Sequence, residues 1–160
     1  QAFGLAQSLD IPFYEAKEMI ERYFAAYPGV RSYLDATIEE AKAKGYAETM
    51  FGRKRHIPEL KASNKMQRSF GERTAMNHPM QGSAADIIKL AMNEVERRLV
   101  ADGFEAKLML QVHDELDFSV PAGEVQRLSD MVASVMDSVV ELKVPLIAEV
   151  SSGENWAEAH

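Results

Sequence analysis

Two apolar runs, Leu108–Val112 and Leu116–Val120, are separated only by His113, Asp114 and Glu115. Parallel strands need a crossover of about a dozen residues or more, so these runs pair as an antiparallel hairpin. The expected strands are Lys107 to Val112 and Glu115 to Val120, joined by a tight turn. Successive side chains of a strand point to opposite faces. His113, Asp114 and Glu115 therefore converge on one site only if they occupy the turn. With Leu108, Leu110 and Val112 on one strand and Leu116, Phe118 and Val120 on the other, the turn would hold an acid at the lip of a buried sheet. A carboxylate so placed suits Mg²⁺, a hard cation that takes one or two carboxylates and shares substrate phosphates. Acids are also common in ordinary surface turns, so this triplet does not decide the function alone.

The rest of the chain reads mostly as helix. Pro12 suits a first helical turn, and Ala16, Met19, Ile20, Tyr23, Phe24 and Tyr27 follow at i, i+3, i+4 spacing. Tyr27-Pro28-Gly29 breaks that stripe. A second stripe of Val30, Tyr33, Leu34, Thr37, Ile38 and Ala41 stops at Gly45. Such aromatic stripes are read as helix packing. Tyr46 to Leu60 reads as a short hairpin turning near Gly52, with Pro58 ending the pairing or marking an edge. Ser63 or Asn64 caps a helix toward Asn77. His78 precedes Pro79 and is pushed from the helical region, so Gly82 and Ser83 restart the helix, with Ser83 and Asp86 as a capping box. Ala84, Ile87, Ile88, Ala91, Met92, Val95 and Leu99 form its stripe. After the hairpin, Val125, Leu128, Val132, Val135, Met136 and Val139 mark a further helix. Pro145 introduces a last strand, Leu146 to Val150. The class is α+β, helices packed on a small antiparallel sheet.

At 160 residues the chain is one domain or a piece of one, long enough to bury roughly 70% of its unfolded surface. No run of about 18 apolar residues occurs, so no membrane span is expected. The opening residues lack the basic start and apolar block of a signal peptide. Zero cysteines exclude disulfides and thiolate metal sites and fit a reducing compartment. The net charge of −7 argues against nucleic acid, but its distribution does not. Between Arg53 and Arg73 seven basic residues (Arg53, Lys54, Arg55, Lys61, Lys65, Arg68, Arg73) face two acids, Glu59 and Glu72. That is a local +5, which suits either a phosphate footprint or a solvated face. His56, His78 and His160 are too scattered for a metal cluster and read as surface residues. Trp156 reads as an anchor of the polar tail against the sheet.

QVHDE, at 111–115 between its two apolar strands, resembles the third conserved motif of family A DNA polymerases, the DNA polymerase I type. ERTAMNHPMQGSAADIIKLAM, from Glu72, resembles the long helical segment that precedes that motif. YFAAYPGVRSYL, GYAETMFGRKRHIPEL and the terminal GENWAEAH are similar to further family stretches, in the family's order and spacing. The likeness covers essentially the whole chain. It implies the end of the fingers (about 1–45) followed by the second half of the palm (about 46–160). It also implies that the nucleotide-binding helix, with its Arg, Lys and Tyr, and the first metal-binding aspartate lie upstream of Gln1.

The resemblance implies roles residue by residue. Asp114 becomes the second catalytic carboxylate and a ligand of Mg²⁺, with Glu115 as an accessory acid beside it. His113 approaches the primer end. Arg73, Asn77 and Gln81 touch the primer–template near the newest base pair. Their four-residue steps suit one helical face, which without the resemblance reads as a solvent-exposed polar stripe. Donors there suit minor-groove acceptors, which every correct pair presents. Asp117 departs from the family, which usually has an apolar residue there, and Ser119 stands where an acid is common. The implied function is part of a monomeric, cytoplasmic DNA-directed DNA polymerase whose partners are primer–template DNA and deoxynucleoside triphosphates. Two alternatives are a non-catalytic DNA-binding module, built on the basic segment, and a metal-dependent phosphohydrolase at Asp114 and Glu115. A single-subunit RNA polymerase fits less well, because Glu115 follows His-Asp. The chain has no initiating Met and opens within an apparent helix, which favours a truncated piece over a natural short module.

Overall fold

The computed structural model describes residues 2–159, so Gln1 and His160 lie outside the described residues. Helices dominate, with two separate two-stranded antiparallel sheets. The chain divides into two compact units, residues 1–79 and 80–160.

The first unit opens with α1 (Ala2–Leu9), α2 (Phe13–Ala26) and α3 (Pro28–Lys44). Pro12 stands just before α2, and Pro28 is the first residue of α3, so the break between those helices is only Tyr27. A hairpin of β1 (Tyr46–Glu48) and β2 (Lys54–His56) follows, paired Tyr46↔His56, Ala47↔Arg55 and Glu48↔Lys54. Gly52 turns it with φ +82°, a backbone that L side chains rarely adopt. The Thr49 hydroxyl accepts the amides of Phe51 (3.3 Å) and Arg53 (3.2 Å), closing the loop. Pro58 begins a 3₁₀ turn, Pro58–Lys61.

The core of this unit is Ala41, Ala47, Ile57, Leu60 and Ala75. Small residues let the elements approach closely, and Gly71 marks the tightest point. A Cβ there would lie 2.9 Å from the Leu60 amide nitrogen. Lys42 joins Glu72 (3.0 Å) and Glu39 (3.1 Å). Hydrogen bonding to Glu72, and then to Glu39, raises the Lys42 pKa above its ordinary value. The stripe on α2 is not the buried seam its spacing suggests. Ala16 is buried, but Met19, Tyr23 and Tyr27 are exposed, as is Tyr33 on α3. The period records an apolar face; it does not say that these residues contain what covers it.

The helix α4 (Lys65–Ala101) starts in the first unit and ends in the second. Asn64 caps it, its Oδ1 accepting the Met66 amide at 2.8 Å. The expected interruption at His78-Pro79 is absent, and Pro79 lies inside the helix as the last residue of the first unit. A proline has no N–H for the carbonyl four residues back, at a cost of about 3 kcal/mol. Each half of α4 is anchored in its own core, Ala75 in the first and Val95 and Leu99 in the second. Burial of both halves outweighs the local preference. Ser83 and Asp86 accordingly lie buried within the helix and do not form a capping box at its start.

In the second unit Val95, Leu99, Ala106, Leu128, Met131, Val132 and Val135 form the core, with Phe104, Phe118, Val120 and Met136 packed on it. These come from α4, from the connector that leads into the hairpin of β3 (Lys107–Val112) and β4 (Glu115–Ser119), from β4 and the residue after it, and from α5 (Val125–Ser138). The expected strand at 146–150 is not formed. A strand exists by hydrogen bonding to a neighbour, and among the described residues β3 and β4 pair only with each other. The segment is tied to α5 where the Ala148 amide donates to Asp137 Oδ1 at 2.7 Å. The tail ends in a short helix, α6 (Trp156–Ala159), and Trp156 is 60% exposed, so it is not buried against a sheet.

Candidate functional site

The β3–β4 ladder closes on the pair Val112↔Glu115, leaving His113 and Asp114 as a two-residue loop. Hairpin loops this short match the right-handed strand twist only when the first central residue takes a positive φ. His113 does so at φ +52°. Glycine is the usual occupant, and a side chain there costs on the order of 1–2 kcal/mol. The Gln111 side-chain amide donates to the His113 carbonyl, which helps fix the turn. His113, Asp114 and Glu115 are all exposed. The loop thus holds His113 and Asp114, whereas Glu115 is the first residue of β4 and pairs with Val112.

The support beneath the turn differs from the expected buried sheet. The register runs Lys107↔Ser119, Leu108↔Phe118, then Leu110↔Asp117, Gln111↔Leu116 and Val112↔Glu115. Met109 is therefore an extra residue on β3, a bulge that reverses the alternation on one side of it. Directly opposed residues share a face. Leu108 shares a face with Phe118, which packs on the core, whereas Leu110 shares one with Asp117. Leu110 is 61% exposed as a result. Asp117 is half-buried, and its Oδ2 is fully buried without a hydrogen-bond partner.

Arg73, Asn77 and Gln81 are exposed residues of α4, the first two in the first unit and Gln81 in the second. Arg73 donates to Ser69 Oγ at 3.0 Å, and its guanidinium lies 5.9 Å from the Phe70 ring centroid. The seven basic residues from Arg53 to Arg73 are all exposed. Arg68 donates to the Ala62 carbonyl at 2.9 Å and the Ser63 carbonyl at 2.6 Å, neutral acceptors that do not cancel its charge. Lys54 sits over Tyr46 at 4.8 Å. His56 is exposed, whereas His78 is half-buried with Nε2 3.4 Å from the Arg53 carbonyl oxygen, so its reading as a surface residue needs correction.

Exposed, adjacent carboxylates in a fixed turn are the donor type that Mg²⁺ prefers. Asp114 and Glu115 fit such an ion as contributors to its shell. They do not complete one, since among the described residues no three His, Asp or Glu side chains converge. Sequence reasoning missed Gln111 as the residue bracing the turn. The available signal was a polar residue set into an otherwise apolar strand.

Among the described residues no helix is long and apolar enough to cross a membrane. A family model for DNA polymerase family A matches residues 1–158. The DNA polymerase I of Geobacillus stearothermophilus is 50% identical over 157 residues, which are 98% of this chain and 18% of that protein. The Streptococcus pneumoniae DNA polymerase I is 45% identical over the same shares. In structure, the POL domain of Pol1 from M. smegmatis, in complex with DNA primer-template and dNTP, matches with a TM-score of 0.94 at 45% identity. That match covers 99% of this chain and 28% of the solved one. The chain spans about a fifth of the length of these curated relatives. The matches run over nearly the whole of this chain, with half or slightly fewer of its residues identical and the backbone closely superposed, and this chain belongs to DNA polymerase family A.

Proposed function

We propose that this chain is part of the polymerase domain of a DNA polymerase I-like enzyme, which adds deoxynucleotides to a primer 3′-hydroxyl in template order. The observation that carries the reading is the closed acidic turn at Asp114, set within a chain that matches the family along nearly all its length. Residues of about 1–45 would form the end of the fingers and about 46–160 part of the palm. The first catalytic aspartate and the triphosphate-binding Arg, Lys and Tyr are assigned to polypeptide beyond these 160 residues. The proposed whole is monomeric and cytoplasmic.

Phosphoryl transfer depends chiefly on positioning and on electrostatic stabilisation of spreading negative charge. Asp114 is the proposed ligand of Mg²⁺, with Glu115 as an accessory acid. Bound there, the ion supplies Lewis-acid stabilisation of phosphoryl oxygens and eases deprotonation of the primer hydroxyl. His113 has the short loop's first position, where an imidazole can meet the primer end. Arg73, Asn77 and Gln81 offer donors to purine N3 and pyrimidine O2 in the minor groove, acceptors that report pair geometry without naming the base.

Gel-resolved primer extension tests the assignment. The 160-residue chain alone is expected not to extend a primer, because Asp114 and Glu115 are too few ligands to clamp two metals about 3.5–4 Å apart. The longer polymerase is expected to extend it. Asp114→Asn in that longer protein should lower the rate by a factor on the order of 10² to 10³ or more while the fold persists. Robust extension by the isolated chain or by the variant overturns the role given to Asp114.

A further inference from the structure

We propose that Glu124 is a positioning residue that clasps the base of the hairpin and so aims the His113–Asp114 turn; the proposal rests on reading that turn as the reactive end. The Glu124 carboxylate receives two consecutive backbone amides from a segment 18 and 19 residues away. The Glu105 amide donates to Oε1 (3.2 Å) and Oε2 (3.0 Å), and the Ala106 amide to Oε2 (3.1 Å).

The placement follows from where the ladder stops. Its last pair at the open end is Lys107↔Ser119. Beyond it the returning strand reaches Pro121, which has no N–H, and enters the 3₁₀ turn Ala122–Glu124. Glu105 and Ala106 therefore run past the end of their strand partner, and the carboxylate takes its place. Ala106 is buried in the core, where an unmet amide is costly. A second tie flanks the first. Arg127 donates to the Asp102 carbonyl and lies 4.0 Å from the Phe104 ring centroid. The connector from α4 to β3 is thus held twice by residues at or before the start of α5. The negative charge of Glu124, immediately before α5, is also favoured by that helix's dipole.

Leverage makes this clasp matter at the turn. Six residues of strand place the loop roughly 20 Å from the hairpin base. A two-stranded ribbon has little rigidity of its own. Any tilt at Glu105 and Ala106 is carried to Asp114 with the full length of the ribbon as its arm. Among the described residues no third strand flanks the sheet, so beyond the packing of Phe118 on the core the clasp is what opposes that tilt.

The test is an NMR comparison of the 160-residue chain with Glu124→Gln and Glu124→Ala. Loss of the charged acceptor should accelerate amide exchange at Glu105 and Ala106 about tenfold or more. Residual dipolar couplings of His113, Asp114 and Glu115 should change in the same variants, while those of residues 86–99 of α4, in the same unit, stay fixed. Val132→Ala, which weakens the core without touching the clasp, serves as the control and should leave the turn's couplings unchanged. Faster exchange at Glu105 and Ala106 with an unmoved turn would mean that the clasp is only local, and would overturn the proposal. So would unaltered exchange, or a turn that shifts equally in Val132→Ala. Glu124→Gln keeps the side chain's size, so the comparison survives if Glu124→Ala does not fold. None of these readouts involves DNA or catalysis, so this test and the extension assay fail or succeed separately.

Discussion

Asp117 is the residue whose chemistry fits its surroundings worst. A buried oxygen without a hydrogen-bond partner costs about 1–3 kcal/mol, and more when it carries charge. Its Oδ2 is in that position, on a strand where a β-branched residue packs well. Asp117→Val is therefore expected to stabilise the chain by about 1–2 kcal/mol, raising the melting temperature by roughly 2–8 °C. Calorimetry on the purified chain checks this, with exposed Asp114→Asn as the near-neutral comparison. A lower melting temperature in Asp117→Val would mean that the carboxylate is needed where it lies. Gln81 poses the opposite case, an exposed side chain with little to contribute to folding. In the longer polymerase, Gln81→Ala should weaken extension from mismatched primer ends by about fivefold, the loss of roughly 1 kcal/mol of direct donor contact. Stability should hardly change. Melting that falls in step with activity would make Gln81 a structural residue.

Among the elements, α4 sets local preference against burial most sharply. Replacing Pro79 restores an amide to the helix interior, and Pro79→Ala should stabilise the chain by about 2 kcal/mol after the gain in unfolded-state freedom is deducted. Chemical denaturation measures it, and destabilisation would show that the proline ring itself is used in packing. The same helix explains why sequence reading misplaced a boundary. Pre-proline sterics act over one residue, whereas Ala75, Val95 and Leu99 act through cores that only the folded chain assembles. The β3–β4 hairpin was legible because a gap this short admits one connection, and its loop gathered His113 and Asp114 as the spacing required. The Met109 bulge was not legible. One extra apolar residue among leucines leaves no mark on composition, yet it moves Leu110 off the core face. The strand expected at 146–150 failed for a related reason: alternation describes a segment able to pair, and pairing needs a partner.

At the scale of the whole molecule, net charge and charge placement make opposite forecasts about DNA. A net −7 repels a polyanion at long range, while the exposed cluster from Arg53 to Arg73 attracts it at close range. Salt decides which dominates, because the Debye length is about 10 Å at 0.1 M and exposed charges farther apart are screened. Added salt therefore removes the distant repulsion along with part of the local attraction. Side chains that neutralise phosphates also release condensed counterions, so affinity falls with a slope near −0.9 per phosphate on logarithmic axes. If roughly three or four of the basic side chains reach phosphates at once, that slope should be about −3. The isolated chain is accordingly expected to bind duplex DNA weakly, without sequence preference, and to lose affinity steeply between low and physiological salt. Fluorescence anisotropy with two unrelated duplexes at several salt concentrations measures both quantities. Replacing Lys54, Arg55 and Lys61 by glutamine should flatten the slope by up to about one unit for each phosphate left without its cation. A flat dependence in the parent chain would show that the cluster is only a solvated face. Tight discrimination between the two duplexes would instead require base-edge readout, which side chains that only neutralise phosphates do not supply.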